Sequence, residues 1–135
     1  MGGYLSTNPT NNQEEEYDEP VEPSFDDHIV KAKADIESLS TQIDNLVKQV
    51  AEASELPFEL EDEIAEARKT LTFDCKKLEE LLLRVQLHLD GISLPTTEDG
   101  GVDQDARTQR KSVIQHAEKL INTVTTVRGQ IESKL

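Results

Sequence analysis

The stretch Leu78-Glu79-Glu80-Leu81-Leu82-Leu83-Arg84-Val85-Gln86-Leu87-His88-Leu89-Asp90-Gly91-Ile92-Ser93-Leu94-Pro95 decides the fold. Its apolar residues recur at steps of three and four, the period of an amphipathic helix. Traced back, the same seam runs Leu60, Ile64, Ala67, Leu71, Cys75, Leu78, Leu82, Val85, Leu89 and Ile92. Gly91 and Pro95 limit it at the far end. Pro57 suits the first turn of this helix, and Glu59, Glu61, Asp62 and Glu63 suit the positive end of its dipole.

Two more seams flank it. Upstream, apolar residues fall at Ile29, Ala32, Ile36, Leu39, Ile43, Leu46, Val50 and Ala53, and Ser54 to Pro57 interrupts them. Ser24 with Asp27 three residues on is a capping-box-like pair, so this helix starts at Ser24. Downstream, residues 96–102 read as a polar loop containing Gly100-Gly101. A third helix then begins near Asp103 or Asp105, with the seam Ala106, Val113, Ala117, Leu120, Val124, Val127, Ile131, Leu135. Short connections make consecutive helices antiparallel neighbours. The expected fold is all-α, an elongated antiparallel three-helix bundle over residues 24–135. An intermolecular coiled coil is the other arrangement that heptads allow, and the two loop breaks favour intrachain packing.

The rest of the composition agrees. The chain has 135 residues, 14 basic side chains against 28 acidic ones, and a net charge of −14. That charge argues against nucleic acid or an anionic membrane as the main partner, since both repel it. Five aromatic residues and no tryptophan disfavour a β-sandwich or barrel. The longest apolar run, Leu81-Leu82-Leu83, is far short of the ~20 residues of a membrane span. Residues 1–28 hold eight acids and no base. Residues 1–23, with Glu14-Glu15-Glu16 and three prolines, read as a disordered acidic segment. Met1-Gly2-Gly3-Tyr4-Leu5-Ser6 matches the loose N-myristoylation pattern, which is short and common.

Catalytic chemistry is not visible. His28, His88 and His116 have no metal-ligand spacing among themselves or with Cys75, and neither a phosphate-binding glycine loop nor an elbow serine occurs. No enzyme activity, metal or cofactor is expected. Cys75, the single cysteine, lies on the core seam and reads as a small buried hydrophobe in a reducing compartment. His88 and His116 read as solvated.

Two faces do not fit a plain bundle. Around the second helix, Glu80, Leu83, Leu87 and Asp90 share a face away from the core, an apolar strip with charged ends. It reads either as casual exposure or as a partner-binding strip. In the third helix Arg107, Arg110 and Lys111 crowd the first turns, against the dipole. Arg107, Arg110, Ile114, Glu118 and Ile121 line one flank of its core stripe. Antiparallel packing brings Arg110 and Lys111 near Asp90, either as an intramolecular ion pair or as a mixed-charge surface for another protein.

The stretch from Leu82 through Asp90-Gly91-Ile92-Ser93-Leu94-Pro95, a variable loop, then Arg110-Lys111-Ser112-Val113-Ile114, resembles the BAG domain. Leu56-Pro57 at the first break resembles it too, and the likeness covers residues from about 26 to 135. That module is a three-helix bundle that binds the nucleotide-binding domain of heat shock protein 70 chaperones. The resemblance implies an acidic pair ten residues apart meeting the chaperone, matched by Glu80 and Asp90, and an Arg-Lys pair, matched by Arg110 and Lys111. Eight residues after that arginine the better-known members carry glutamine. Here Glu118 keeps an acceptor and loses the amide donor.

The implied function is a cytoplasmic co-chaperone and nucleotide exchange factor, promoting ADP and substrate release. The partner-binding set is Glu80, Leu83, Leu87, Asp90, Arg107, Arg110, Lys111, Ile114 and Glu118, on a chain expected to be monomeric. A homodimer through Leu83 and Leu87 is the variant reading. A structural or adaptor bundle, spectrin-like or trafficking-regulatory, is the competing one.

Overall fold

A computed structural model describes residues 23–135; the segment 1–22, with its acidic run and its acylation pattern, lies outside the described residues. Three helices follow one another: α1 over Phe25–Ala53, α2 over Glu61–Gly91 and α3 over Gln104–Lys134. They hold 29, 31 and 31 residues, so each is about 45 Å long at 1.5 Å per residue. Each packs against both others, which makes an all-α three-helix bundle.

The start of α1 is fixed by side chains. The Ser24 hydroxyl accepts from the Asp27 amide at 3.1 Å, and the Asp27 carboxylate accepts from the Ser24 amide at 3.1 Å. This reciprocal capping box satisfies two of the four amides that a helix N-terminus leaves unpaired. All eight seam positions of α1, from Ile29 to Ala53, are buried. On α2 the buried set is Leu71, Cys75, Leu78, Leu82 and Leu89, and on α3 it is Ala106, Val113, Ala117, Val124, Val127 and Ile131. Among the described residues the core contains no polar or charged side chain. A core this narrow is stabilised by apolar burial, at roughly 25 cal/mol per Å².

The start of α2 departs from the sequence expectation. Pro57 is not in its first turn: the helix begins at Glu61, and Pro57 opens a separate turn closed by the Leu60 amide donating to the Pro57 carbonyl at 2.9 Å. The chain must reverse direction between α1 and α2, and Leu60 holds a non-helical backbone (φ −86°, ψ 59°) to do so. Leu60 is therefore exposed rather than core, as is Phe58, while Ile64 and Ala67 are half-buried. The α2–α3 loop is tight. The Thr97 amide donates to the Gly101 carbonyl at 2.7 Å and the Asp103 amide to the Pro95 carbonyl at 3.0 Å. Gly100 takes the left-handed φ of 89° that this reversal requires and that a Cβ disfavours. Asp103 then caps α3, accepting from the Asp105 and Ala106 amides at 2.9 and 3.2 Å.

Candidate protein–protein interface

Side-chain bonds fix the register of α2 against α3. The Arg110 guanidinium donates to the Ile92 carbonyl at 3.2 Å, and Gln86 Nε2 donates to the Ile114 carbonyl at 3.1 Å. Glu79 accepts from the Thr125 hydroxyl at 2.9 Å and from Arg128 at 2.6 Å. As the α2 partner moves back from 92 to 79, the α3 partner moves forward from 110 to 128, so the two helices run antiparallel. Asp90 then lies level with the Arg110-Lys111 turn, Leu87 with Ile114 and Leu83 with Glu118.

The helical rotation of ~100° per residue decides which way these side chains face. Glu79 and Gln86 mark the side of α2 turned to α3. His88, which meets His28 of α1, marks the side turned to α1. Asp90, Leu83 and Leu87 follow the α3-facing side at about 20–100° further out, and Glu80 sits on the outer crest. On α3, Arg110, Ile114, Thr125 and Arg128 mark the side turned to α2. Arg107 shares that side, and Glu118 and Lys111 lie just outside it. The two groups occupy facing flanks of neighbouring helices and border one continuous strip about 15 Å long along α2.

Most of that strip is open. Leu83 is 49% exposed and Leu87 62%. Glu80, Asp90, Arg107, Lys111 and Glu118 are exposed, while Arg110 and Ile114 are half-buried, Ile114 against the core. An Asp90 ion pair with Arg110 or Lys111, one of the two sequence readings, does not form among the described residues: the ion pairs there are Lys31–Asp35, Arg84–Glu80 and Arg128–Glu79. Arg110 is drawn instead to the Ile92 carbonyl just past the end of α2. Asp90 stays unpaired, at the helix end where a negative charge is unfavourable. Glu80 holds Arg84 at 2.7 Å one turn along, with both side chains more than 60% exposed. A pair of that kind contributes only a few tenths of a kcal/mol. The cations at the start of α3 cost less than their number suggests. Only Arg107 is in its first turn, beside Asp105 and the Asp103 cap, and the dipole effect fades beyond it.

The polar ties were not visible in the sequence. Gln86, Glu79, Thr125 and Arg128 belong to no seam or motif, and only the α2–α3 register gives them partners. Cys75 is fully buried, and burial first, then the neighbouring Glu79 carboxylate, pushes its thiol up to about 11. It is a packing residue and not a nucleophile. Among the described residues no group of three or more His, Cys, Asp or Glu is placed to hold a metal ion, and no helix is long and apolar enough to cross a membrane.

This arrangement, a three-helix rod with a charged flank where α2 and α3 meet, coincides with the match to a family model. The BAG domain model matches residues 31–126. The chain belongs to the BAG domain family. The matched span takes in most of α1, all of α2, the loop and about three-quarters of α3, and so the whole α2–α3 flank. No curated protein and no solved structure matches the chain.

Proposed function

We propose that this BAG domain is a co-chaperone that binds the nucleotide-binding domain of heat shock protein 70 and speeds nucleotide exchange. The observation that carries the reading is the flank itself: Glu80, Leu83, Leu87 and Asp90 of α2 border Arg107, Arg110, Lys111, Ile114 and Glu118 of α3, on two helices locked in register by half-buried polar ties. Family membership supplies the partner. Exchange by this route needs no catalytic residue. A rod that binds the open nucleotide cleft more tightly than the closed one shifts the chaperone's population towards the open state, and ADP leaves faster. The proposal includes a monomeric protein acting in the cytoplasm, where that chaperone and a reduced Cys75 coexist.

The test is release of fluorescent ADP from a cytosolic heat shock protein 70. The parent protein accelerates release; Asp90→Ala and Arg110→Ala each abolish the acceleration and the binding seen by calorimetry, with helicity unchanged. Parent-like binding by both variants would show that the flank is not the contact surface. An absence of acceleration by the parent would overturn the exchange reading.

A further inference from the structure

His28 and His88 stand 60 positions apart in sequence, yet the fold brings His28 Nδ1 and His88 Nε2 to 2.9 Å. The ring centroids are 4.8 Å apart and the planes inclined at 57°. His28 is in the first turns of α1 and His88 in the last turn of α2. Among the described residues this is the only side-chain hydrogen bond that joins α1 to another helix, whereas α2 and α3 share several. The pair lies in an α1–α2 groove of about 460 Å³ whose floor includes Ala32, Leu39, Leu81 and Val85. The nearby cations are already neutralised: Lys31 holds Asp35 at 3.0 Å and Arg84 holds Glu80 at 2.7 Å.

Two neutral imidazoles bond each other when one facing nitrogen carries the hydrogen and the other the lone pair. Moving that hydrogen to the outer nitrogen of the same ring leaves two facing lone pairs with the proton count unchanged. Neither outer nitrogen, His28 Nε2 or His88 Nδ1, has a protein partner among the described residues, so the move breaks only the hydrogen bond between the two rings, which the metal–nitrogen bonds replace. Two metal–imidazole bonds of about 2.0–2.1 Å spanning a 2.9 Å gap enclose an angle of about 90°. That is the cis angle of a tetragonal site, the preference of Cu²⁺ and Ni²⁺. A tetrahedral Zn²⁺ needs the gap opened to about 3.3 Å. Among these ions Cu²⁺ binds nitrogen ligands most tightly, and His88 is exposed enough for water to complete the coordination.

We propose that His28 and His88 form a two-imidazole chelate for Cu²⁺ that staples the start of α1 to the end of α2. The staple replaces the single hydrogen bond that ties α1 to α2 by two metal bonds, at the end of the rod that carries Asp90. It is independent of chaperone binding.

The test uses the full chain, titrated with Cu²⁺ in a weakly coordinating morpholine-sulfonate buffer with Mg²⁺ in excess to occupy weak carboxylate sites. The parent shows two equatorial nitrogens by electron paramagnetic resonance and a Tm that rises with Cu²⁺ and falls back with EDTA, because the ion binds only the folded pair. His28→Asn and His88→Asn each weaken binding about tenfold or more, since one imidazole loses the chelate, and each abolishes the Tm rise. His116→Asn, on α3, keeps both. Helicity measured before copper is added shows that each variant is folded. One-nitrogen or all-oxygen coordination in the parent, no binding, or parent-like binding by both variants overturns the proposal.

Discussion

Replacing Asp90 by alanine separates folding from recognition, because the two effects have opposite signs. Asp90 is exposed, unpaired among the described residues, and one residue from the end of α2. Its carboxylate faces the negative end of the helix dipole, at a cost of about 0.3–1 kcal/mol. Alanine also has the higher helix propensity, by a few tenths of a kcal/mol. The free protein is therefore expected to gain about 0.5–1 kcal/mol, a Tm rise of roughly 3–6 °C for a domain this size. On the proposed surface the same carboxylate meets a charge on the chaperone. Truncating one partner of a buried interfacial pair costs about 2–5 kcal/mol, roughly a 30- to 4,000-fold loss of affinity. Thermal denaturation followed by circular dichroism reads the first effect, and calorimetry against the nucleotide-binding domain reads the second. A variant that is more stable and still binds like the parent refutes the site. One that is less stable refutes the reading of Asp90 as an unpaired residue at the helix end.

Three further outcomes follow from the packing. Leu82 is fully buried where all three helices meet, so Leu82→Ala should cost about 2–5 kcal/mol in urea denaturation, with chaperone affinity retained in whatever fraction stays folded. The Cys75 thiol, buried and raised to about 11, should resist a thiol-reactive disulfide at neutral pH and react at once in denaturant. In the α2–α3 loop, hydrogen bonds from the Thr97 hydroxyl and then the Gly101 amide hold the Asp99 carboxyl below its ordinary value of 3.8. Its folded-state affinity for protons is thus lower than in the unfolded chain. The contribution it makes to loop order is complete above the ordinary carboxylate range and is lost as pH falls through the depressed value. Nuclear magnetic resonance should show the Gly101 amide shift titrating in that acid range, and Asp99→Asn should remove the transition.

The bundle was legible because its core uses one signal, apolar residues at steps of three and four, and nothing in the core competes with it. On α1 the seam and the buried set are identical, from Ile29 to Ala53. The signal failed at the start of α2. Periodicity reports what a helix buries once it is formed, not where the chain has finished turning, so Leu60 looked like core and Pro57 like a first turn. The flank was legible in part. Leu83 and Leu87 stood out as leucines off the seam, and the Arg-Lys pair as cations against a dipole. Their pairing with Asp90 did not materialise, because Arg110 found a backbone carbonyl at the helix end, an acceptor that every sequence contains and none displays. Gln86 and the His28–His88 pair were invisible for a related reason. Their meaning depends on interhelical register, which side-chain spacing within one helix does not encode.

The location of the ties bears on how such a rod would act in the proposed exchange role. A co-chaperone moves its partner's equilibrium only by the difference between its affinities for the open and closed cleft, and a tenfold shift needs about 1.4 kcal/mol of that difference. A flexible flank adapts to both states and dilutes the difference. A flank held to one shape loses contacts when the cleft closes. Gln86, Arg110 and Glu79 hold α2 and α3 together at three levels along the strip, each through a donor–acceptor pair with fixed direction, while apolar packing alone would let the helices slide. Gln86→Leu keeps the half-buried volume and removes the tie at the middle level. Helicity should persist and binding to the isolated nucleotide-binding domain should weaken only slightly. The acceleration of ADP release should fall by more than the affinity does, and equal falls in both would show that stiffness plays no part.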